Sequence, residues 1–310
     1  MKRLVRPRAP WIVLALGVAA FVAAAAVAVA GLQPADLTFT PKSEKQVTNI
    51  DVARSWIKNY YGSPGAATGP GADKSWRDPL NTSSNYANEA SSVAKDGGNW
   101  LAARSKVKGK AIVLDVDDTT LATWNYELYS NWDYNPTTNG YFVDNEWFPA
   151  VPGMVNMVNT AAAEGYAVFF ITGRPSSQTE ATLANLTGSA HTPTPPDPTL
   201  VPMPWPSPID AGYVTPTTIP LAPGGTPQPG LFTKPAIADY PQYLEDACAD
   251  ELSQTPQKSC TTIHYKSATR AYIESLGYDI VGNFGDQFSD LLGGYADKTF
   301  KLPNPNYYLP

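Results

Sequence analysis

Two apolar runs constrain what this chain can fold into more than any other feature. Residues 110–115 (K-A-I-V-L-D) and 166–172 (Y-A-V-F-F-I-T) are nearly continuous hydrophobic stretches closed by a polar residue. A strand with one face in water alternates polar and apolar positions, so unbroken runs of this length predict strands covered on both faces, the habit of a parallel sheet. Helical spacing fills the intervals. Residues 152–165 read as a helix stopped by Gly165, 175–186 as a second, 267–276 as a third stopped by Gly277, and 278–282 as a further strand. A strand is also expected at 230–233 (G-L-F-T), with Cys248 and Cys260 in the loop that follows. This alternation implies an α/β domain, a parallel sheet with helices on both faces. Ahead of it, 48–61 and 84–104 show helical spacing around a Gly/Pro loop and predict two helices packed outside the sheet.

At 310 residues the chain has room for one large domain or two small ones. Its 30 prolines exceed what a sheet-and-helix domain uses, and many fall in a nearly charge-free insert at about 192–229 that reads as loop or polyproline-like chain. If the strand at 230–233 is placed correctly, the insert joins the sheet at the edge away from the strand carboxyl ends. Residues 2–8 are basic and 11–32 are apolar and uncharged, so 1–32 reads as a signal peptide or membrane anchor, 33–47 as a linker and 48–310 as the folded domain. Either reading exports the domain, secreted or anchored at the outer face of the cell membrane through 11–32. In that compartment the two cysteines of the chain, Cys248 and Cys260, are expected to form a disulfide. The net charge of −6, with four bases spent on the amino terminus, argues against a nucleic-acid polymer as partner. Catalysis with so few His and Cys residues must lean on carboxylates.

Those carboxylates cluster. Asp115, Asp117 and Asp118 crowd the end of the first expected strand, and alternation points Asp115 and Asp117 the same way. Asp286 and Asp290 follow the last expected strand, four apart and so on one face of a helical turn. A hard cation would neutralise such an oxygen set. Thr172 and Gly173 close the second strand, where a hydroxyl and free backbone N–H groups can hold phosphate oxygens, and Lys266 opens an expected helix with a positive charge. Singly these are ordinary turn, cap and surface features. Together they fall at the carboxyl-end crevice where parallel sheets place ligands. Residues 123–148 are rich in rings, Trp124 and Tyr126 among them, and read either as a satellite core or as a flap whose rings stack on a leaving group.

The order and spacing of D-V-D-D-T at 115–119, F-F-I-T-G-R at 169–174, Y-K-S-A-T-R at 265–270 and G-N-F-G-D-Q-F-S-D at 282–290 resemble the haloacid dehalogenase-like (HAD) superfamily. Within it they resemble the class B type acid phosphatases, the group that includes plant vegetative storage proteins. The resemblance covers about 105–302 and implies a Rossmann-like three-layer α/β/α fold. It implies a Mg²⁺-dependent acid phosphatase acting on small phosphomonoesters, with Asp115 as the nucleophile that becomes an aspartyl-phosphate. Asp117 would protonate the leaving alcohol and then activate water, and its backbone carbonyl would join Asp115 and Asp286 on the metal. Thr172 would bind the phosphoryl group with Gly173, Lys266 would steady its charge, and Asp290 would support the metal. The alternative is a storage or binding protein on the same fold, against which the intact acidic set weighs.

Overall fold

The computed structural model describes residues 38–63, 69–105 and 108–309. The segment 1–32, expected as a signal peptide or anchor, lies outside them. Among the described residues no helix is long and apolar enough to cross a membrane, and the transmembrane reading is not carried further.

Two helices come first, α1 (Ile50–Tyr60) and α2 (Asn85–Ala102), close to their expected spans. Each starts at a side-chain cap: Asn49 accepts the N–H groups of Asp51 and Val52, and Ser84 accepts that of Ala87. Then follow β1 (Lys110–Leu114), α3 (Trp124–Ser130), α4 (Pro136–Asp144), α5 (Met154–Ala163), β2 (Ala167–Pro175) and α6 (Thr179–Thr187). The short strands β3 (Thr218–Pro220) and β4 (Pro227–Pro229) precede β5 (Leu231–Lys234). The chain continues through α7 (Gln242–Ala247), α8 (Ala249–Leu252), α9 (Thr262–Ser275), β6 (Asp279–Gly285), α10 (Phe288–Leu291) and β7 (Thr299–Lys301).

Five of the strands form one parallel sheet in the order β5-β2-β1-β6-β7. Every residue of β1 is buried, as its unbroken apolar run requires. Alternate residues feed two cores. Ile112, Leu114, Val168, Phe170 and Phe284 pack on the side of α2 and α5, whereas Ala111, Val113, Phe169, Ile171 and Ile280 face Tyr265, Ile273 and the Cys248–Cys260 disulfide. These are the three layers expected. Because β2 and β6 lie on opposite sides of β1, the chain leaves the central strand in both directions, and the crevice opens at its carboxyl end.

Two local expectations are corrected, those for Lys266 and Cys248, and one strand, β7, was not expected. Helix α9 starts at Thr262, capped by the Thr261 hydroxyl, so Lys266 sits in its second turn instead of opening it. Strand β7 has three residues, too few to show a periodicity, and exists because β6 offers it Asn283 to Gly285 as a ladder. Cys248 lies between two short helices, α7 and α8, instead of within a loop.

Most rings of the aromatic segment are core, with Tyr134 left exposed. Phe142 is surrounded by Trp76, Tyr126, Tyr129 and Trp147 at centroid distances of 5.2, 5.2, 5.1 and 5.0 Å. Trp124 stacks on Tyr61 at 4.1 Å, and Tyr61 on Tyr86 at 4.2 Å, so the ring column ties this segment to α1 and α2. Trp124 and Tyr126 are both buried, and the reading of them as stacking groups on a flap does not fit this placement. The Pro-rich insert does join the sheet near the start of β2, where Thr217 N–H donates to the Val168 carbonyl. It is not loose chain, however. The β3–β4 pair is antiparallel, and core side chains fasten the rest: Tyr129 Oη donates to the Leu200 carbonyl at 2.6 Å, Trp147 Nε1 to that of Pro206 at 3.0 Å, and Arg77 Nε to that of Pro204 at 2.7 Å.

If Trp124 is a core ring, Trp124→Ala leaves a cavity in the column and costs about 3–5 kcal/mol, the usual range for deleting a buried indole. Urea unfolding checks this. An unchanged midpoint would return Trp124 to the surface role.

Candidate active site

The ends of the three central strands bring the expected residues together. Asp115 directly follows β1, and its N–H continues the ladder to the Phe284 carbonyl at 2.9 Å. Thr172 lies in β2 with its side chain buried, and Gly173 beside it is exposed to open space. Asp286 follows β6 directly, and Asp290 returns to it through a tight turn, with the Gln287 N–H donating to Asp290 Oδ2 at 2.8 Å. A turn, not a shared helix face, makes Asp286 and Asp290 neighbours.

Lys266 reaches into this group from α9. Its Nζ donates to Asp115 Oδ1 and, at 2.5 Å, to Asp290 Oδ1, with all four side chains of Asp115, Lys266, Asp286 and Asp290 buried. One oxygen from each of Asp115, Asp286 and Asp290 lies within 4.8 Å of the others. Three buried carboxylates against one ammonium leave a negative excess that a divalent cation would offset, so the donor set fits such an ion. The electrostatics agree. Burial raises Asp115 to about 7, with Lys266 opposing and Asp290 and Asp117 adding to the shift. Burial, then Asp290 and Asp115, push Asp286 well above the carboxylate range. Burial by itself would lower Lys266, but Asp115 and Asp290 outweigh it and the ammonium is raised.

Asp117, whose backbone carbonyl the resemblance implies as a metal ligand, turns its side chain out of this cluster toward the mouth. There Arg174 holds it bidentately, Nη2 at 2.6 Å from Oδ1 and Nε at 3.1 Å from Oδ2. Arg174 is fixed in turn by Thr182 Oγ1 at 3.0 Å and by the face of Phe148, with 5.3 Å from guanidinium to ring. Arg174 was legible only as the last letter of the T-G-R run, and nothing local names its partner.

Among the other participants Asp118 was legible in the acidic cluster, whereas Asn304, Leu309 and Glu127 leave no sequence signal. The segment 302–309 lies across the cluster: Asn304 Nδ2 donates to Asp286 Oδ2 at 2.7 Å, and the Leu309 N–H to Gln287 Oε1 at 3.0 Å. Asp118 stands with φ 52°, in the left-handed region, and its carboxylate accepts the Thr123 N–H at 3.0 Å and the Thr123 hydroxyl at 2.6 Å. Burial raises Asp118 to about 6, with the Thr123 hydrogen bonds opposing. Glu127 is buried nearby in α3, pushed to about 8 by burial and then by Asp118. Of the rings expected at the substrate, Trp124 stays in the ring column and Tyr126 in the cluster around Phe142, where its Oη donates to the Asn135 carbonyl at 3.0 Å.

The chain matches the family described as HAD superfamily, subfamily IIIB (acid phosphatase), over residues 72–193 and 247–310. It is 28% identical over 204 residues to the Stem 28 kDa glycoprotein of Glycine max, covering 64% of this chain and 59% of that protein. It is 27% identical over 203 residues to Acid phosphatase 1 of Solanum lycopersicum, covering 64% and 58%. A stretch of 50 residues is 50% identical to Vegetative storage protein 1 of Arabidopsis thaliana, 16% of this chain and 18% of that one. The chain thus spans about three fifths of the length of the first of these relatives. Among solved structures, the class C acid phosphatase from Bacillus anthracis aligns with a TM-score of 0.43 at 18% identity, over 72% of this chain and 80% of that one.

The raised carboxylates predict a pH dependence. A carboxyl with a folded-state value of about 7 keeps a proton that the unfolded chain, with carboxyls near pH 4, has already released. With chelator present, stability of the wild type relative to Asp115→Asn should therefore fall as pH rises from about 4 to about 7. Urea midpoints of the two proteins across that interval measure it, and a relative rise would refute the placement of Asp115 among uncompensated carboxylates.

Proposed function

This chain belongs to the HAD superfamily, subfamily IIIB (acid phosphatase), and we propose that it is an exported, Mg²⁺-dependent phosphomonoester hydrolase. The observation that carries this reading is the buried set of Asp115, Asp286 and Asp290 around Lys266 at the carboxyl end of the sheet. A structural domain gains nothing from burying three carboxylates on one ammonium, since unpaired buried charge destabilises.

In the proposed reaction an Asp115 Oδ attacks phosphorus and the bond from phosphorus to the alcohol oxygen breaks. Asp117 gives its proton to that leaving oxygen. Water then attacks the phosphorus, passing a proton back to Asp117, and the bond to Asp115 breaks to release inorganic phosphate. Covalent catalysis of this kind divides one difficult displacement into two easier ones. In this reading Lys266 offsets phosphoryl charge, Thr172 and the Gly173 backbone bind its oxygens, and Arg174, bonded to Asp117, keeps it aimed at the mouth. Mg²⁺ held by Asp115, Asp286 and Asp290 would add a fixed positive charge beside the transferred group.

Export is supported by the Cys248–Cys260 disulfide, a bond kept in oxidising compartments, and by the basic-then-apolar order of the amino terminus. The substrate is a small ester, not a nucleic-acid polymer, in keeping with the net negative charge. A storage role, as in the name of one relative, would need no such site, and turnover decides between them.

Asp115→Asn should reduce turnover of a chromogenic phosphate ester by several orders of magnitude, with the melting temperature showing a folded protein. Asp286→Ala should lose activity that high Mg²⁺ partly restores, and should lose the rise in melting temperature that Mg²⁺ gives the wild type. A tenth of wild-type activity left in Asp115→Asn, or full activity after exhaustive chelation, would defeat the mechanism.

A further inference from the structure

The turn 116–121, which carries Asp117, is held from behind by the Pro-rich insert. Tyr213 is buried, and its Oη donates to the Thr120 carbonyl at 2.8 Å. The Val151 N–H donates to the same carbonyl at 2.9 Å, so one bond comes from the end of the aromatic segment and the other from the insert. Thr120 is fully buried, and its own hydroxyl donates to the carbonyls of Asp115 and Val116, each at 3.1 Å. One residue on, the Leu121 carbonyl accepts the Asp118 N–H at 2.7 Å. The peptide that Tyr213 grips therefore lies between the backbone of the nucleophile and that of the left-handed Asp118.

A non-glycine residue at φ 52° persists only where its surroundings over-determine it. Tyr213 is fit to be such a constraint because it is itself fixed. Its N–H donates to the Leu186 carbonyl at 2.9 Å, the neighbouring Val214 N–H to Asn159 Oδ1 at 3.0 Å, and its ring meets Phe170 of the central sheet edge-on at 6.0 Å. The family match leaves 194–246 uncovered, so this strap belongs to the part of the chain the family does not describe.

We infer that Tyr213 is a positioning residue for phosphoester hydrolysis: through the Thr120 carbonyl, the insert sets the aim of the turn that presents Asp115 and Asp117. This rests on the hydrolase reading above. The hydroxyl acts on geometry more than on stability, because without it the Thr120 carbonyl keeps the Val151 N–H and is not orphaned. Small displacements of reacting groups are costly, up to about 100-fold in rate for roughly 1 Å.

The test pairs two variants that each remove one hydroxyl at the insert. Tyr213→Phe removes the insert's hydrogen bond to the catalytic turn, whereas Tyr129→Phe removes only a bond to the insert carbonyl of Leu200. With 4-nitrophenyl phosphate as probe, Tyr213→Phe should lose about tenfold in kcat with KM changed less than about twofold, as expected when orientation and not binding is lost. Tyr129→Phe should keep wild-type kcat even where its melting temperature falls. An undiminished kcat in Tyr213→Phe, or equal losses in both variants, overturns the inference while the active wild type sustains the hydrolase reading. A wild type without turnover defeats that reading and this inference with it.

Discussion

The ammonium of Lys266 is the charge on which the site depends. It donates to both Asp115 and Asp290, and with it three carboxylates can lie buried at the end of a sheet whose central strand is buried throughout. Without it Asp115 and Asp290 would lose the ammonium they share in a low-dielectric pocket, where the cost is several kcal/mol per uncompensated ion, about 3–5 for a broken buried pair. The partial compensation also has chemical use. Burial first, and then neighbours that remain negative overall, hold the carboxylates high and receptive to a divalent cation, and the Lys266 bond keeps the Asp115 oxygen positioned instead of solvated.

The parallel sheet supplies the geometry. Strands β1, β2 and β6 end side by side, so Asp115, Thr172 and Asp286 meet although 114 residues separate the second and third in sequence. Residues from β2, the carboxyl-terminal segment and the insert then fix the groups that the strand ends present. Arg174 anchors Asp117, Asn304 anchors Asp286, and Tyr213 anchors the turn between Asp117 and Leu121. Each is a hydrogen bond to a group that must point one way for chemistry, which is how preorganisation is built from ordinary contacts.

The ring-rich segment does a different task. Its helices are short, at seven and nine residues, below the length at which helices hold by themselves. They persist because Trp76, Phe142 and Trp147 pack between them and because Tyr61 and Tyr86 extend the stack to the amino-terminal helices. The insert closes over the same rings through Leu200, Pro204 and Pro206 carbonyls. Proline-rich chain has carbonyls but few N–H groups, so side-chain donors such as Tyr129, Arg77 and Trp147 are what can bind it.

The sequence by itself determined the parallel α/β architecture, the strand ends that carry Asp115, Thr172 and Asp286, and the Cys248–Cys260 bond. Those features are written locally: an unbroken apolar run means two covered faces, an acid at its end means a strand terminus, and a pair of cysteines has a single intramolecular pairing. Tertiary structure decided that Trp124 and Tyr126 are core, that Asp117 faces Arg174, and that Asn304 and Tyr213 reach the site. A buried ring and a flap ring have the same composition, so only packing separates them. Likewise Tyr213 and Thr120 are 93 positions apart, and no periodicity or propensity encodes a hydrogen bond that exists only after the chain has closed on itself.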